Sequence, residues 1–413
     1  MKQTKGCIVF AAPGFKEFGG MASYIHNVVK CFSSYGWEVH CIATNDRSDN
    51  QKIKNYAKTF HDLSQKPLSP KKVFLAADII NNINPDIVML NHCALVQYVL
   101  PLLNKSIKPV SVIHSDDSRF YQVATIFEDR VFRWVAPSIS VANNALHYIS
   151  DKNRKRVSVI PHGVDNEIFK AKRVRLAINY NIAFVGFVAP NKGADLLFPV
   201  MQRVLLKYPQ THLHIIGYGP LEDVIKNQFI EQGLGNNLTI TGRVSPQKVA
   251  EILAESDIFL LPTRIEGFGL AIVESMMCGA VPVVSKLAGI TDTIVDHNET
   301  GFLIDADDVD GFASAIIALL SNPVRQNEMK RAAQQSAKDR FALTRMISDY
   351  EKLFAVPDDR PFMPQRGVVG WSLETLHEMI RKNPDGTFRF QKKLGTFKNV
   401  LIPNHSSHNK SNT

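Results

Sequence analysis

The run Gly6-Cys7-Ile8-Val9-Phe10-Ala11-Ala12 shows no alternation of polar and apolar residues, and this limits the possible folds more than any other feature of the chain. A strand with one wet face alternates. An uninterrupted apolar strand is covered on both faces, which is the situation of a parallel sheet flanked by helices. The next residues supply the crossover such a sheet needs. A glycine-bearing loop, Pro13-Gly14-Phe15-Lys16-Glu17-Phe18-Gly19-Gly20, leads into a helix from Met21 to about Tyr35, whose apolar positions Ile25, Val28, Val29 and Phe32 recur at helical spacing. Gly36 stops the helix, and residues 37–42 return as a second strand, completing a βαβ unit.

Comparable runs predict strands at 87–90, 110–114, 134–137 and 157–160. After Pro161-His162-Gly163-Val164-Asp165 comes a charged, turn-rich stretch, and the βα pattern restarts at Asn181 with strands expected at 182–188, 212–217, 238–242, 258–262 and 281–285. The reading is α/β: two Rossmann-like, doubly wound domains facing a cleft, plus a C-terminal extension. The domains are placed at 1–170 and 171–340. A closing helix is read over 334–354, with 341–355 as its own unit, and the extension covers 356–413. Within the extension, 357–370 is irregular, 372–381 a short helix and 406–413 disordered.

Composition excludes several classes. The 413 residues are 45% hydrophobic and 21% charged, which is ordinary globular usage, and no apolar segment reaches the ~18 residues a membrane-spanning helix needs. The first apolar run is too short for a signal-peptide core. Five cysteines (Cys7, Cys31, Cys41, Cys93, Cys278) show neither disulfide nor zinc spacing, so a reducing cytoplasmic setting is expected. A net charge of +9 favours anionic partners. The basic run 152–156 lacks interleaved aromatics, so nucleic acid is not expected; it reads as a solvated loop or a patch for anionic lipid at a membrane surface.

Chemistry concentrates between Leu261 and Gly279. A strand ends at Leu261-Pro262, the loop Thr263-Arg264-Ile265-Glu266-Gly267-Phe268-Gly269 follows, and a helix opens at about Leu270 and carries Glu274. Glycines 267 and 269 let the backbone approach a ligand, and the helix N-terminus adds partial positive charge, together suiting a diphosphate. Glu274, one turn into the helix, is placed to accept two hydrogen bonds from a ribose diol. Asp305-Ala306-Asp307 has the spacing of a metal-binding pair and Asp116-Asp117 follows His114, but Asp305 to Asp308 precedes a helix at about Gly311 and reads as an N-capping acidic turn; no metal is expected.

These residues resemble a known family, the GT-B glycosyltransferases, and most closely its large retaining branch with the phosphatidylinositol mannosyltransferases and sucrose synthases. The resemblance spans about residues 8–354. It is densest in Glu266-Gly267-Phe268-Gly269-Leu270 through Glu274-Ser275-Met276, and extends to Val281-Pro282-Val283-Val284-Ser285, Thr300-Gly301-Phe302-Leu303 and Val159-Ile160-Pro161-His162-Gly163. It implies that Glu266 meets the donor sugar, that Glu274 holds the ribose, and that the amides of Gly267, Phe268, Gly269 and Leu270 bind the diphosphate. Lys192 matches the family's phosphate-binding lysine, Gly19 and Gly20 its N-terminal glycine loop, and His114 its histidine near the donor sugar. Read alone, a strand-end histidine is equally a satisfied structural group.

Two departures stand out. His162 occupies a position where asparagine is commoner, and Gly186-Phe187-Val188 replaces the usual glycine-arginine-leucine, removing a diphosphate cation that Arg243 or Arg264 would have to replace. The implied activity is metal-independent transfer from a nucleotide-diphosphate sugar to a hydroxyl of a glycan, lipid-linked or protein acceptor, with retention of configuration. A nucleotide-sugar 2-epimerase and a catalytically silent partner subunit share the fold and are the alternatives.

Overall fold

The computed structural model describes residues 4–15, 19–45, 51–65, 69–170 and 180–361. The first sheet contains β1 (Cys7–Ala12), β2 (Glu38–Ala43), β3 (Thr59–Asp62), β4 (Ile87–Asn91), β5 (Lys108–Val112), β6 (Arg133–Ala136) and β7 (Val157–Val159). Its seven strands run parallel in the order β3-β2-β1-β4-β5-β6-β7. The second contains β8 (Asn181–Val185), β9 (His212–Ile216), β10 (Leu238–Gly242), β11 (Ile258–Leu261), β12 (Val281–Ser285) and β13 (Phe302–Ile304). Its order is β10-β9-β8-β11-β12-β13, again parallel. Two doubly wound Rossmann-like domains are therefore present. Strand order reverses between β1 and β4 in one sheet and between β8 and β11 in the other, and ligands of such sheets sit at the carboxyl ends flanking these two points.

The apolar run behaves as its composition demands: Ile8 through Ala12 are wholly buried. The helix Gly20–Ser34 lays Tyr24, Ile25, Val28, Val29 and Phe32 on the sheet, and Gly36 adopts a φ of 88° that ends it.

Several expectations are corrected. β3 and β13 were not anticipated; both are short edge strands, and β3, Thr-Phe-His-Asp, is mostly polar. β5 ends at Val112, so His114 sits two residues beyond the strand, where it is released from the ladder. The closing helix is two helices, Pro323–Phe341 and Leu343–Ala355, separated by Ala342 in an extended conformation. The break brings Ala342 alongside Val164, and only a glycine fits at 163, where a Cβ would lie 2.9 Å from Leu343 Cα.

The basic run is not a loop, and its cations are divided, with Lys152, Arg154 and Lys155 exposed and Arg156 buried. It forms a short 3-10 helix, Asp151–Arg156, in which Arg156 is buried over the Trp134 ring, Lys152 pairs with Asp129 at 2.9 Å, and Lys155 pairs with Asp359 at 3.0 Å. No helix among the described residues is long and apolar enough to cross a membrane. The short helix expected at 372–381 and the disorder expected at 406–413 lie outside the described residues.

The last helix, Leu343–Ala355, packs on the first domain rather than the second. Phe354 stacks on Phe32 at 5.8 Å, Trp37 donates to Glu351, and the buried hydroxyls of Tyr24 and Tyr350 share a 2.5 Å hydrogen bond. Leaving one buried hydroxyl without its partner costs about 1–3 kcal/mol, whereas removing both is nearly neutral. Tyr24→Phe and Tyr350→Phe are therefore each expected to lower Tm, with the double variant closer to wild type than their sum; additive losses in calorimetry would contradict the pairing.

Candidate active site

The site grows from the two reversal points. After β8, the backbone turns through Pro190-Asn191-Lys192 into Gly193, whose φ of 66° and whose position against the Pro262 carbonyl exclude any side chain. After β11, Arg264 and Ile265 donate their backbone N–H groups to the Asn191 carbonyl, at 3.0 and 3.2 Å, which locks the two loops together. This brings Lys192 Nζ to 2.6 Å from Glu266 Oε1 and 3.0 Å from the Ile265 carbonyl. Both side chains are largely buried, so the pair is desolvated and unlike an exposed ion pair.

The loop then crosses to the other domain. A Cβ on Gly267 would stand 2.4 Å from the His114 carbonyl, and Ser138 donates to the Gly267 carbonyl at 2.8 Å. Gly267 is thus a close-approach residue at the seam. Gly269 follows with a φ of 102° and opens the helix Leu270–Cys278 without any side-chain cap. Across the seam Gly19, with a φ of 100°, opens the first helix and is likewise uncapped, and a Cβ on Gly20 would lie 3.9 Å from Leu270 Cδ1. Among the described residues, two helix N-termini whose N–H groups no side chain caps therefore face one another, an arrangement that favours an anion.

His114 contributes a neutral ring. Asn91 donates through Nδ2 to the Ala11 carbonyl, so its Oδ1 accepts from His114 Nε2 at 3.1 Å. Nδ1 is left as a buried lone pair without a partner. Burial, then the neighbouring His162 and His92, hold the imidazole well below its usual range, so it is uncharged at neutral pH. Tyr24 lies against it at 4.9 Å and against His162 at 4.3 Å. Phe268 is buried between His162 and Phe341, so only its amide can meet a ligand.

The cations expected to replace the missing arginine have different fates. Arg264 is engaged away from Lys192, bidentate to Asp195 at 2.8 Å and paired with Asp307 at 2.6 Å. Arg243 lies 3.4 Å over the Tyr218 ring, and Phe187 packs edge-on against the same ring at 5.2 Å. Of the acidic turns, Asp308 caps Gly311 at 2.8 Å, Asp116 accepts from Tyr121 and Asn144, and Asp117 pairs with Arg119.

Asn91, Ser138, Tyr24 and His92 were missed by sequence reasoning. Asn91 ends β4 and His92 follows it at the reversal point, and that position is the signal that could have found them. His92 carries a φ of 49° and stacks on Phe120 at 3.9 Å.

Two family descriptions match the chain, "Glycosyltransferase Family 4" over residues 18–168 and "Glycosyl transferases group 1" over residues 166–336. The chain belongs to this glycosyltransferase family. A GDP-mannose-dependent alpha-(1-6)-phosphatidylinositol monomannoside mannosyltransferase of Mycolicibacterium smegmatis is 26% identical over 198 residues, 44% of this chain and 52% of that protein. An uncharacterized glycosyltransferase of Methanocaldococcus jannaschii is 23% identical over 82% of this chain and 95% of its own length. The chain spans about half the length of the first of these. Among solved structures, Anabaena HepE in complex with UDP and glucose superposes with a TM-score of 0.71 at 18% identity, covering 85% of this chain and 100% of that one. A point mutant of S. aureus TarM in complex with Fondaparinux, alpha-GlcNAc-glycerol and UDP gives 0.71 at 13% identity, with 85% and 100% covered.

Glu274, one turn into the helix Leu270–Cys278, is desolvated enough to be pushed up to about 7. Its folded value lies above the 4.5 of a free glutamate, so stability present at low pH is lost as pH rises towards 7. Glu274→Gln is expected to leave Tm nearly unchanged at pH 4, below the free value, and to raise it by about 2 °C or more at pH 8. The same variant should weaken donor KM by about tenfold if the carboxylate holds two hydroxyls. Equal Tm values at pH 8, or an unchanged KM, would remove the assignment.

Proposed function

We propose that this chain transfers a sugar from a nucleotide-diphosphate sugar to an acceptor hydroxyl, with retention at the anomeric carbon and without a metal ion. The observation that carries the proposal is the meeting of both reversal points: Lys192, Glu266 and two uncapped helix N-termini gather beside the neutral His114. The diphosphate would lie between the helix ends, where unspent N–H groups and Lys192 oppose the charge that grows as the sugar departs. A diphosphate competes with Glu266 for Lys192 and so frees that carboxylate to accept a sugar hydroxyl. The lone pair of His114 Nδ1 serves as a second acceptor. Glu274 holds the ribose diol.

The acceptor is proposed to be a hydroxyl of a glycan or a lipid-linked glycan met at the membrane surface, supported by the phosphatidylinositol monomannoside in the name of the mycolicibacterial relative. Retention is supported by the resemblance of Glu266 through Glu274 to the retaining branch. An anomeric proton spectrum of the product tests it, because inversion changes the coupling constant.

Arg264 is committed to Asp195 and Asp307, so Lys192 is the lysine or arginine side chain that meets Glu266 among the described residues. Lys192→Ala is expected to lower kcat by a factor of about 10² or more, with Phe187→Arg restoring part of the loss. Release of nucleoside diphosphate from a panel of UDP-, GDP- and ADP-sugars measures both variants, and turnover should survive EDTA. Near-normal turnover in Lys192→Ala, or isomerised sugar without released diphosphate, would overturn the reading.

A further inference from the structure

We propose a zinc site at the opposite end of the first sheet from the cleft, formed by Cys7 Sγ, a carboxylate oxygen of Glu38 and His40 Nε2. These residues are far apart in sequence, and the parallel register of β1 on β2 brings them together by pairing Cys7 with Glu38 and Val9 with His40. All three side chains leave the same face of the sheet, because residues two apart along a strand share a face. One donor atom from each lies within 4.8 Å of the other two. A tetrahedral zinc with bonds of about 2.0–2.3 Å requires ligand separations of roughly 3–4 Å, so small rotations of the partly exposed Cys7 and Glu38 side chains suffice. Water completes the coordination from the open side.

The imidazole is held as a metal-binding histidine is held. His40 is buried, its Nδ1 lies 2.7 Å from Thr59 Oγ1, and Thr59 Oγ1 lies 2.9 Å from His61 Nε2. The threonine has one proton and sits between two rings, so the chain of hydrogen bonds can run in either direction, but without a cation only one direction satisfies the His40–Glu38 contact. In one direction His61 donates to Thr59, Thr59 to His40 Nδ1, and His40 Nε2–H to Glu38 Oε1 at 3.1 Å. In the other, His40 Nδ1–H donates to Thr59 and Thr59 to His61, which leaves a lone pair on Nε2 facing the carboxylate. Two facing lone pairs need a cation between them, and a second-sphere donor of this kind fixes the tautomer and orientation of a metal-bound histidine. The mixed sulfur, nitrogen and oxygen set suits zinc better than magnesium or calcium. On binding, the Cys7 thiol loses its proton to solvent as the zinc–sulfur bond forms. Lys58, 2.7 Å from Glu38 Oε2, occupies the second carboxylate oxygen and opposes the metal.

The position makes the site structural. Cys7 and Glu38 begin their strands, whereas Gly19 and Asn91 follow or end theirs at the other edge. Zinc would clip β1 to β2 and leave the transfer chemistry untouched.

The test uses the full-length protein freed of metal and titrated with Co²⁺ and then Zn²⁺. One equivalent of Co²⁺ is expected to give a near-ultraviolet thiolate-to-cobalt absorption that Zn²⁺ abolishes, together with a rise in Tm and no change in turnover. Cys7→Ser should lose the absorption, Thr59→Val should weaken binding about 10–100-fold, and Lys58→Ala should tighten it. Equal metal-free Tm values for Cys7→Ser and wild type exclude misfolding as the cause of a loss. An absorption that persists in Cys7→Ser, or no stoichiometric binding by the wild-type chain, would overturn the proposal.

Discussion

A strand buried on both faces leaves little room for polar groups away from its ends. In this protein that constraint operates in two sheets, because Ile8–Ala12 and Ile258–Leu261 are buried throughout. All described strands run parallel, so every carboxyl end in a sheet emerges along one edge, and the residues of the candidate active site gather there. Lys192 and Glu266 follow β8 and β11, and Asn91 and His114 end or follow β4 and β5. The pairing of Arg264 and Ile265 with the Asn191 carbonyl then converts two separate loop ends into one rigid platform.

Desolvation gives this platform its electrostatic character. His114 is kept neutral and Glu274 is pushed up to about 7 by the burial that shapes the seam, while Lys192 and Glu266 satisfy one another at 2.6 Å. A charge brought into this region meets little water to screen it, so the few fixed dipoles and one cation act more strongly than they would in solvent. The carboxylate of Glu274 accepts no hydrogen bond from the described residues, so nothing offsets the burial that pushes it up.

Much of this was readable from the sequence where chemistry and periodicity coincide. The unalternating run at the start, the loop from Pro262 to Gly269 and the restart at Asn181 each announce their element by local composition. What escaped depended on residues distant in sequence. β3 is short and polar because it is an edge, and nothing in Thr-Phe-His-Asp distinguishes it from a loop. The break at Ala342 has no proline or glycine to mark it; it coincides with the distant segment at Val164, whose N–H donates to the Phe341 carbonyl at 2.9 Å. Arg156 looks like a surface cation until Trp134 is seen beneath it. Cys7, Glu38 and His40 form a cluster only through the register of two strands, which cysteine spacing cannot reveal.

The break at Ala342 also orders the assembly of the molecule. The chain leaves the first domain near Val164 and returns beside the same residue at Ala342, so the second domain is in effect an insertion within the first. Phe32 and Trp37 are covered by Phe354, and Tyr24 by Tyr350, all supplied by the last helix. During synthesis the first sheet can form early, but this apolar flank stays open until residues 343–355 emerge. The domain made first is therefore the domain finished last, and for most of translation its completion depends on the insertion folding well enough to carry the chain back.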